Sequence, residues 1–119
     1  MVVVNLAEKM SLIDAYWSPK IIGELNGQQV KMAKLKGEFI WHKHDNEDEL
    51  FMVLKGTLKI AFRDREAILR ENEMIIIPRG VEHKPVAEEE VYILLFEPAS
   101  TLNTGDVHHT LTMPELDWI

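Results

Sequence analysis

Three histidines and one glutamate have the types and spacing of metal ligands. His42 and His44 stand two residues apart in a segment that reads as a strand, so both rings project from one face. Glu49 follows five residues later, an odd separation that a continuous strand would send to the opposite face. The acidic stretch 45–48 reads as a turn that reverses the chain and brings Glu49 back beside the pair. His83 arrives from a later strand, just after Pro78-Arg79-Gly80. Neutral imidazole and carboxylate are what a divalent transition metal takes from a protein. Four such ligands leave open coordination positions, which separates a working centre from a closed structural one. A His-x-His pair alone needs no function; the weight comes from Glu49, His83 and the frame around them.

Rival chemistry finds little support. The chain of 119 residues has no Cys, which excludes a disulfide scaffold, a zinc finger, a thiol nucleophile and an iron–sulfur site. With 20 acidic against 13 basic residues the formal charge is −7, so nucleic acid is not an expected partner. No Walker motif and no Gly-x-Ser-x-Gly elbow occurs. The longest apolar runs, 74–78 and 91–96, fall far short of the ~20 residues of a membrane helix. Met1-Val2-Val3-Val4-Asn5 carries no basic region or cleavage site, and the expectation is a cytoplasmic protein. His108-His109 reads as a solvent-exposed pair and 88–90 as a solvated turn. No inward Arg or Lys for a phosphate can be assigned, since Arg63, Arg65, Arg70 and Lys84 all read as outward or in turns.

The elements that must position the four ligands are mostly strands. Asn5 caps a short first helix with Glu8 three positions on, and Leu6, Met10 and Ile13 share one face. Pro19 ends that pattern. The period then changes to two: 21–25 and 28–35 flank Asn26-Gly27, a tight-hairpin dipeptide. Strands are expected over 38–44, 49–54, 57–63, 67–70, 74–77, 81–86 and 91–96, and Thr112 with Glu115 predicts a last helical turn. Short strands about ten residues apart, each closed by a turn signal, predict an all-β fold, a small antiparallel β-barrel with short terminal helices. The organisation expected is one domain over 1–119, with a helical arm 1–20, a barrel 21–97 and a tail 98–119.

Alternation places Phe51 and Val53 on the face of Glu49, and Leu58, Ile60 and Phe62 are candidate barrel lining, giving a polar centre in apolar walls. Trp41 and Lys43 alternate with the ligands and should point away. Trp17 and Trp118 are expected to pack the end segments onto the barrel, with a subunit interface as the alternative.

The frame around the ligands resembles the cupin superfamily, of double-stranded β-helix or jelly-roll type. One cupin pattern runs Gly, five residues, His-x-His, three or four residues, Glu, six residues, Gly; here it runs from Gly37 through His42-Lys43-His44 and Glu49 to Gly56. The second runs Gly, five residues, Pro-x-Gly, two residues, His, three residues, Asn; here it runs from Asn72 through Pro78-Arg79-Gly80 and His83 to Ala87. Gly37 lies one residue closer to the His pair than the pattern asks. Asn72 and Ala87 replace a Gly and an Asn, and Asn tolerates the left-handed backbone such a turn needs. None of the three is a ligand. Glu38–His42, with Glu97-Pro98 and Asn103-Thr104-Gly105-Asp106, is similar to the small cupins labelled mannose-6-phosphate-isomerase-like.

The resemblance implies one divalent metal (iron, manganese, nickel or zinc) on His42, His44, Glu49 and His83. It implies an enzyme of isomerase or dioxygenase type on a small oxygen-rich metabolite, with Glu49 as a proton acceptor. The alternative is a non-catalytic module that binds a metal and a small ligand. It also implies a homodimer, which would cover the apolar Val2-Val3-Val4 run.

Overall fold

The computed structural model describes all residues, Met1–Ile119. Helix α1 (Leu6–Ser11) begins as the capping pair predicts: the Asn5 side-chain oxygen accepts from the Glu8 backbone N–H at 2.9 Å. Seven strands follow: β1 (Lys20–Leu25), β2 (Gln28–Glu38), β3 (Glu49–Lys55), β4 (Leu58–Phe62), β5 (Glu66–Leu69), β6 (Met74–Ile77) and β7 (His83–Pro98). All strand pairings between them are antiparallel. The main path runs β1-β2-β7-β3-β6, and β4 joins β5 to the first half of β7.

Strand β7 organises the molecule. Two strands joined by a turn at 87–90 were expected, but the chain runs through as one strand of 16 residues. Its early part pairs with β4 (Phe62 opposite His83) and its later part with β3 (Phe51 opposite Leu95). Along its other edge it pairs with β2, where the register shifts between Leu35 and Gly37. That irregularity bends the pair so that one strand serves both sides of the barrel. Residues 88–90 remain exposed, so their charges are solvated without ending the strand.

Twelve buried apolar residues fill the interior, among them Ala33, Leu35, Val53, Leu58, Ile60 and Ile93. A second cluster of Met10, Ile13, Ile22 and Met32 seats α1 against the outside of β1 and β2. Asn72 holds the left-handed φ of +67° that its place in the motif requires. Two expected elements are absent. Residues 38–44 form no full strand, and the tail near Thr112 is a set of turns tied by side-chain bonds to Asn103 and Thr104 instead of a helical turn. Trp118 bridges Ile21 at 57% exposure, so it reaches the barrel edge without being packed into it.

Candidate metal centre

His42 and His83 are set side by side by a single β-bridge. The His42 N–H donates to the His83 carbonyl at 3.1 Å, and the His83 N–H donates back at 2.9 Å. His44 is anchored through its carbonyl, which accepts from the Gly80 N–H at 2.8 Å. Residues 45–48 turn the chain, with Asp48 accepting from the Arg79 backbone N–H at 2.9 Å, and β3 then starts at Glu49 on the inner face. Ligand atoms of His42, His44, Glu49 and His83 all lie within 4.8 Å of one another, and all four residues are buried.

The donor set fits a divalent ion. Nδ1 of His42 lies 2.9 Å from the Ile40 carbonyl and Nδ1 of His83 lies 2.9 Å from the Val81 carbonyl. Each Nδ1–H therefore donates to backbone, which fixes the tautomer and leaves Nε2 as a lone pair for the cluster. Nε2 of His83, both ring nitrogens of His44 and Oε1 of Glu49 are buried without a hydrogen-bond partner. Glu49 Oε1 stands 3.5 Å from His44 Nε2 and 3.3 Å from His83 Nε2, close approaches that form no directed bond. Buried polar atoms are normally satisfied, and orphaned ligand-type atoms on His44, Glu49 and His83 are what a cation would satisfy.

Electrostatics sort the four. Burial, helped by the neighbouring His83, lowers the His42 pKa to about 4, so this ring is neutral and ready to ligate. Burial also opposes charge on His44, but the Glu49 carboxylate beside it outweighs burial and raises its pKa. Burial pushes Glu49 up, yet its contacts with Glu97, His44 and His83 hold it well below the usual range.

For the metal-free protein the signs give a stability maximum. The raised His44 contributes stability present below the ordinary His value and lost as pH rises through its folded pKa. The depressed His42 contributes stability lost as pH falls from about 6.5 toward 4. Metal binding also competes with the proton wherever the His44 ring is charged, so affinity climbs with pH through its titration. Ring-proton NMR titration of the metal-free protein, with calorimetry of metal binding in buffers of different protonation enthalpy, checks both. His42 titrating near its ordinary value would contradict the assignment.

A cavity of about 40 Å³ adjoins the centre, and His42, Glu49, Phe51, Phe39, Trp17 and Leu95 are among its lining residues. Of the expected pocket residues, Phe51 lines it. Val53, Leu58 and Ile60 are packed in the interior cluster, and Phe62 lies half-buried against it. Trp41 lies outside, with the Arg63 guanidinium 3.9 Å from its ring centre. Lys43 also points outward, 3.2 Å from Asp45. Trp17 does more than pack an end segment: it stacks on Phe39 with centroids 4.8 Å apart and forms cavity wall.

Sequence reading missed Lys31 and Glu97, which line the same cavity and form an ion pair at 2.8 Å with side chains only 2% and 3% exposed. The signal was available. Lys31 is in phase with inward Ala33 and Leu35, and Glu97 with inward Val91, Ile93 and Leu95. Burial, followed by the adjacent Glu49 charge, raises the Glu97 carboxyl well above its usual range, against the opposing pull of Lys31.

The family profile for the cupin domain matches residues 29–96. This chain is a cupin. A cupin-2 domain protein of Shewanella frigidimarina is 51% identical, covers 81% of this chain and 94% of its own, and superposes with a TM-score of 0.80. Protein NMB1881 of Neisseria meningitidis is 31% identical over 82% of this chain and 100% of its own, with a TM-score of 0.76. Among curated proteins, YdbB of Bacillus subtilis is 45% identical over 64 residues, 57% of its length. A mannose-1-phosphate guanylyltransferase of Sinorhizobium fredii is 36% identical over 64 residues, 12% of its length. The match thus spans just over half of the first curated relative and about an eighth of the second. No helix of this cupin is long and apolar enough to cross a membrane.

Proposed function

We propose that this cupin is a metal-dependent enzyme acting on a small, oxygen-rich metabolite by an isomerase or dioxygenase type of reaction. The supporting observation is a buried three-His, one-Glu set, with unpartnered ligand atoms, on the wall of a small and largely apolar cavity. A divalent ion bound there supplies a Lewis acid that polarises a carbonyl or, if iron, a site for oxygen chemistry. The protein's own part is to hold neutral Nε2 atoms in place through the two Nδ1–carbonyl bonds and to exclude water with Phe39, Phe51 and Trp17. Glu49 belongs to both cluster and cavity, which suits a proton-accepting role toward a ligand held there. The cavity volume of about 40 Å³ favours a ligand of a few heavy atoms over a sugar phosphate.

Metal analysis of protein purified without added metal, then a panel of small hydroxy-carbonyl compounds, diketones and sugars with and without O₂, tests the reading. Turnover that stops with His44→Ala supports the enzyme. Binding without turnover across the panel supports the non-catalytic module instead.

We also propose a homodimer through the outer face of the sheet. Val30, Phe96, Leu50 and Ile76 lie opposite one another across β2, β7, β3 and β6, and Leu94, Met52 and Met74 form the adjacent row. Ile76 is 56% and Met74 53% exposed, and an apolar face this continuous marks an association surface. A second copy related by a twofold axis would cover it, and the exposed Val2 and Val3 extend the apolar surface on offer. Sedimentation of wild type as a dimer and of Ile76→Lys as a folded monomer is the expected result. A dimer unchanged by that substitution would place the interface elsewhere.

A further inference from the structure

The metal ligands do not account for all the polar chemistry in the cavity. Lys31 and Glu97 sit on neighbouring strands, Lys31 opposite Leu95 and Glu97 opposite Gln29, so they meet on the diagonal of the β2–β7 ladder. An ammonium carries three donors, and Lys31 Nζ has one partner, Glu97 Oε1 at 2.8 Å. Glu97 Oε2 is buried with no partner at all. A buried ion pair is weak evidence for stability, because apolar residues of similar size often do as well. This one is also incompletely bonded, and it stands on a cavity wall rather than inside packed core. Glu97 and Glu49 line the same cavity, which places the Lys31–Glu97 pair beside the metal cluster.

We propose that Lys31, held in place by Glu97, is a ligand-positioning residue whose unused donors take an oxygen of a small carboxylate-bearing ligand held at the metal centre. The inference rests on the metal-centre reading and narrows its substrate to a class. The Lys31 ammonium, with donors unused, faces a water-poor cavity beside the cation position, which matches an anionic carboxylate. The cavity volume of about 40 Å³ asks for a compact one, such as a 2-oxo acid or 2-hydroxy acid of few carbons, with oxygen donors on adjacent atoms. One end then meets the metal position and the other the ammonium, while Leu35, Ile93 and Leu95 contact the carbon skeleton. Lys31 is proposed as a positioning and specificity residue, with no step of proton transfer assigned to it.

The test uses manganese-loaded full-length protein, oxamate as a compact monoanionic probe, and imidazole as a neutral metal ligand with no oxygen for Lys31 to hold. Calorimetry reads probe binding, and elemental analysis reads metal content separately. Lys31→Met is expected to keep its manganese and its imidazole affinity while losing about ten- to a hundredfold in oxamate affinity, the range of one charge-assisted hydrogen bond. Because Lys31→Met strands Glu97, the double variant Lys31→Met/Glu97→Gln provides a folded counterpart with the same expected loss. Unchanged oxamate binding in a variant that retains manganese overturns the role of Lys31 and leaves the metal centre standing. Wild type that holds manganese but not oxamate also overturns it. Failure of wild type to hold manganese, iron, nickel or zinc overturns both readings.

Discussion

Alanine at His44 is expected to yield a folded protein that no longer retains a divalent ion. Neither apolar cluster includes a ligand residue, and the strand pairings of β2, β3, β4 and β7 do not pass through the His44 side chain. The fold therefore does not depend on the ion for its core. Four-ligand zinc sites contribute about 10–16 kcal/mol, so one ligand in four carries roughly 2.5–4 kcal/mol, about a hundred- to a thousandfold in affinity. Elemental analysis after dialysis should show the ion in wild type and not in His44→Ala, and the same for Glu49→Ala. Far-UV circular dichroism should retain the β signal in both variants. Collapse of that signal would make the ion a folding element, as in the small metal-dependent domains that unfold without it.

The ligands were legible in the sequence through their types and spacing, although the strand expected to align His42 and His44 does not form. The bridge between His42 and His83 and the bond from Gly80 to the His44 carbonyl hold the two rings instead, and the acidic turn brings Glu49 back beside them. What alternation could not show was how a strand behaves when it belongs to both sides of the barrel. Three consecutive glutamates at 88–90 look like a turn, yet β7 runs through them because its partners β2 and β4 pair with its early part and β2 and β3 with its later part. The pocket residues show a related limit. Phase on a strand puts Val53, Leu58 and Ile60 inside, but only tertiary packing divides an interior into filled core and open cavity. Lys31 and Glu97 were passed over because charge argues for the surface. Their phase argued for the inside, and the ion pair between them allows the phase to win.

The second large effect is expected far along the chain from the histidines, at Gly105. The tail returns over the site: Asp106 donates its N–H to the Lys43 carbonyl at 3.0 Å and accepts from the Lys43 N–H through Oδ1 at 3.1 Å. Lys43 is the residue between His42 and His44, so this clasp holds the backbone that carries both rings. Gly105 sits against it with φ of +57°, and a Cβ there would strike the Lys43 carbonyl and come to 3.3 Å from Cδ2 of His42. Neither obstacle is a flexible chain end that can swing aside. The left-handed conformation alone costs a non-glycine residue about 1–2 kcal/mol. Forcing the backbone apart adds roughly 1–3 kcal/mol, as overpacking does elsewhere. Gly105→Ala is therefore expected to lower unfolding stability by about 2–5 kcal/mol. Because the strain falls on the segment joining two ligands, metal affinity should fall about ten- to a hundredfold, as when a support of a metal ligand is lost. Denaturant unfolding and metal titration of the same variant check both effects. Lost stability with unchanged metal affinity would show that the tail clasp steadies the fold without setting the ligand geometry.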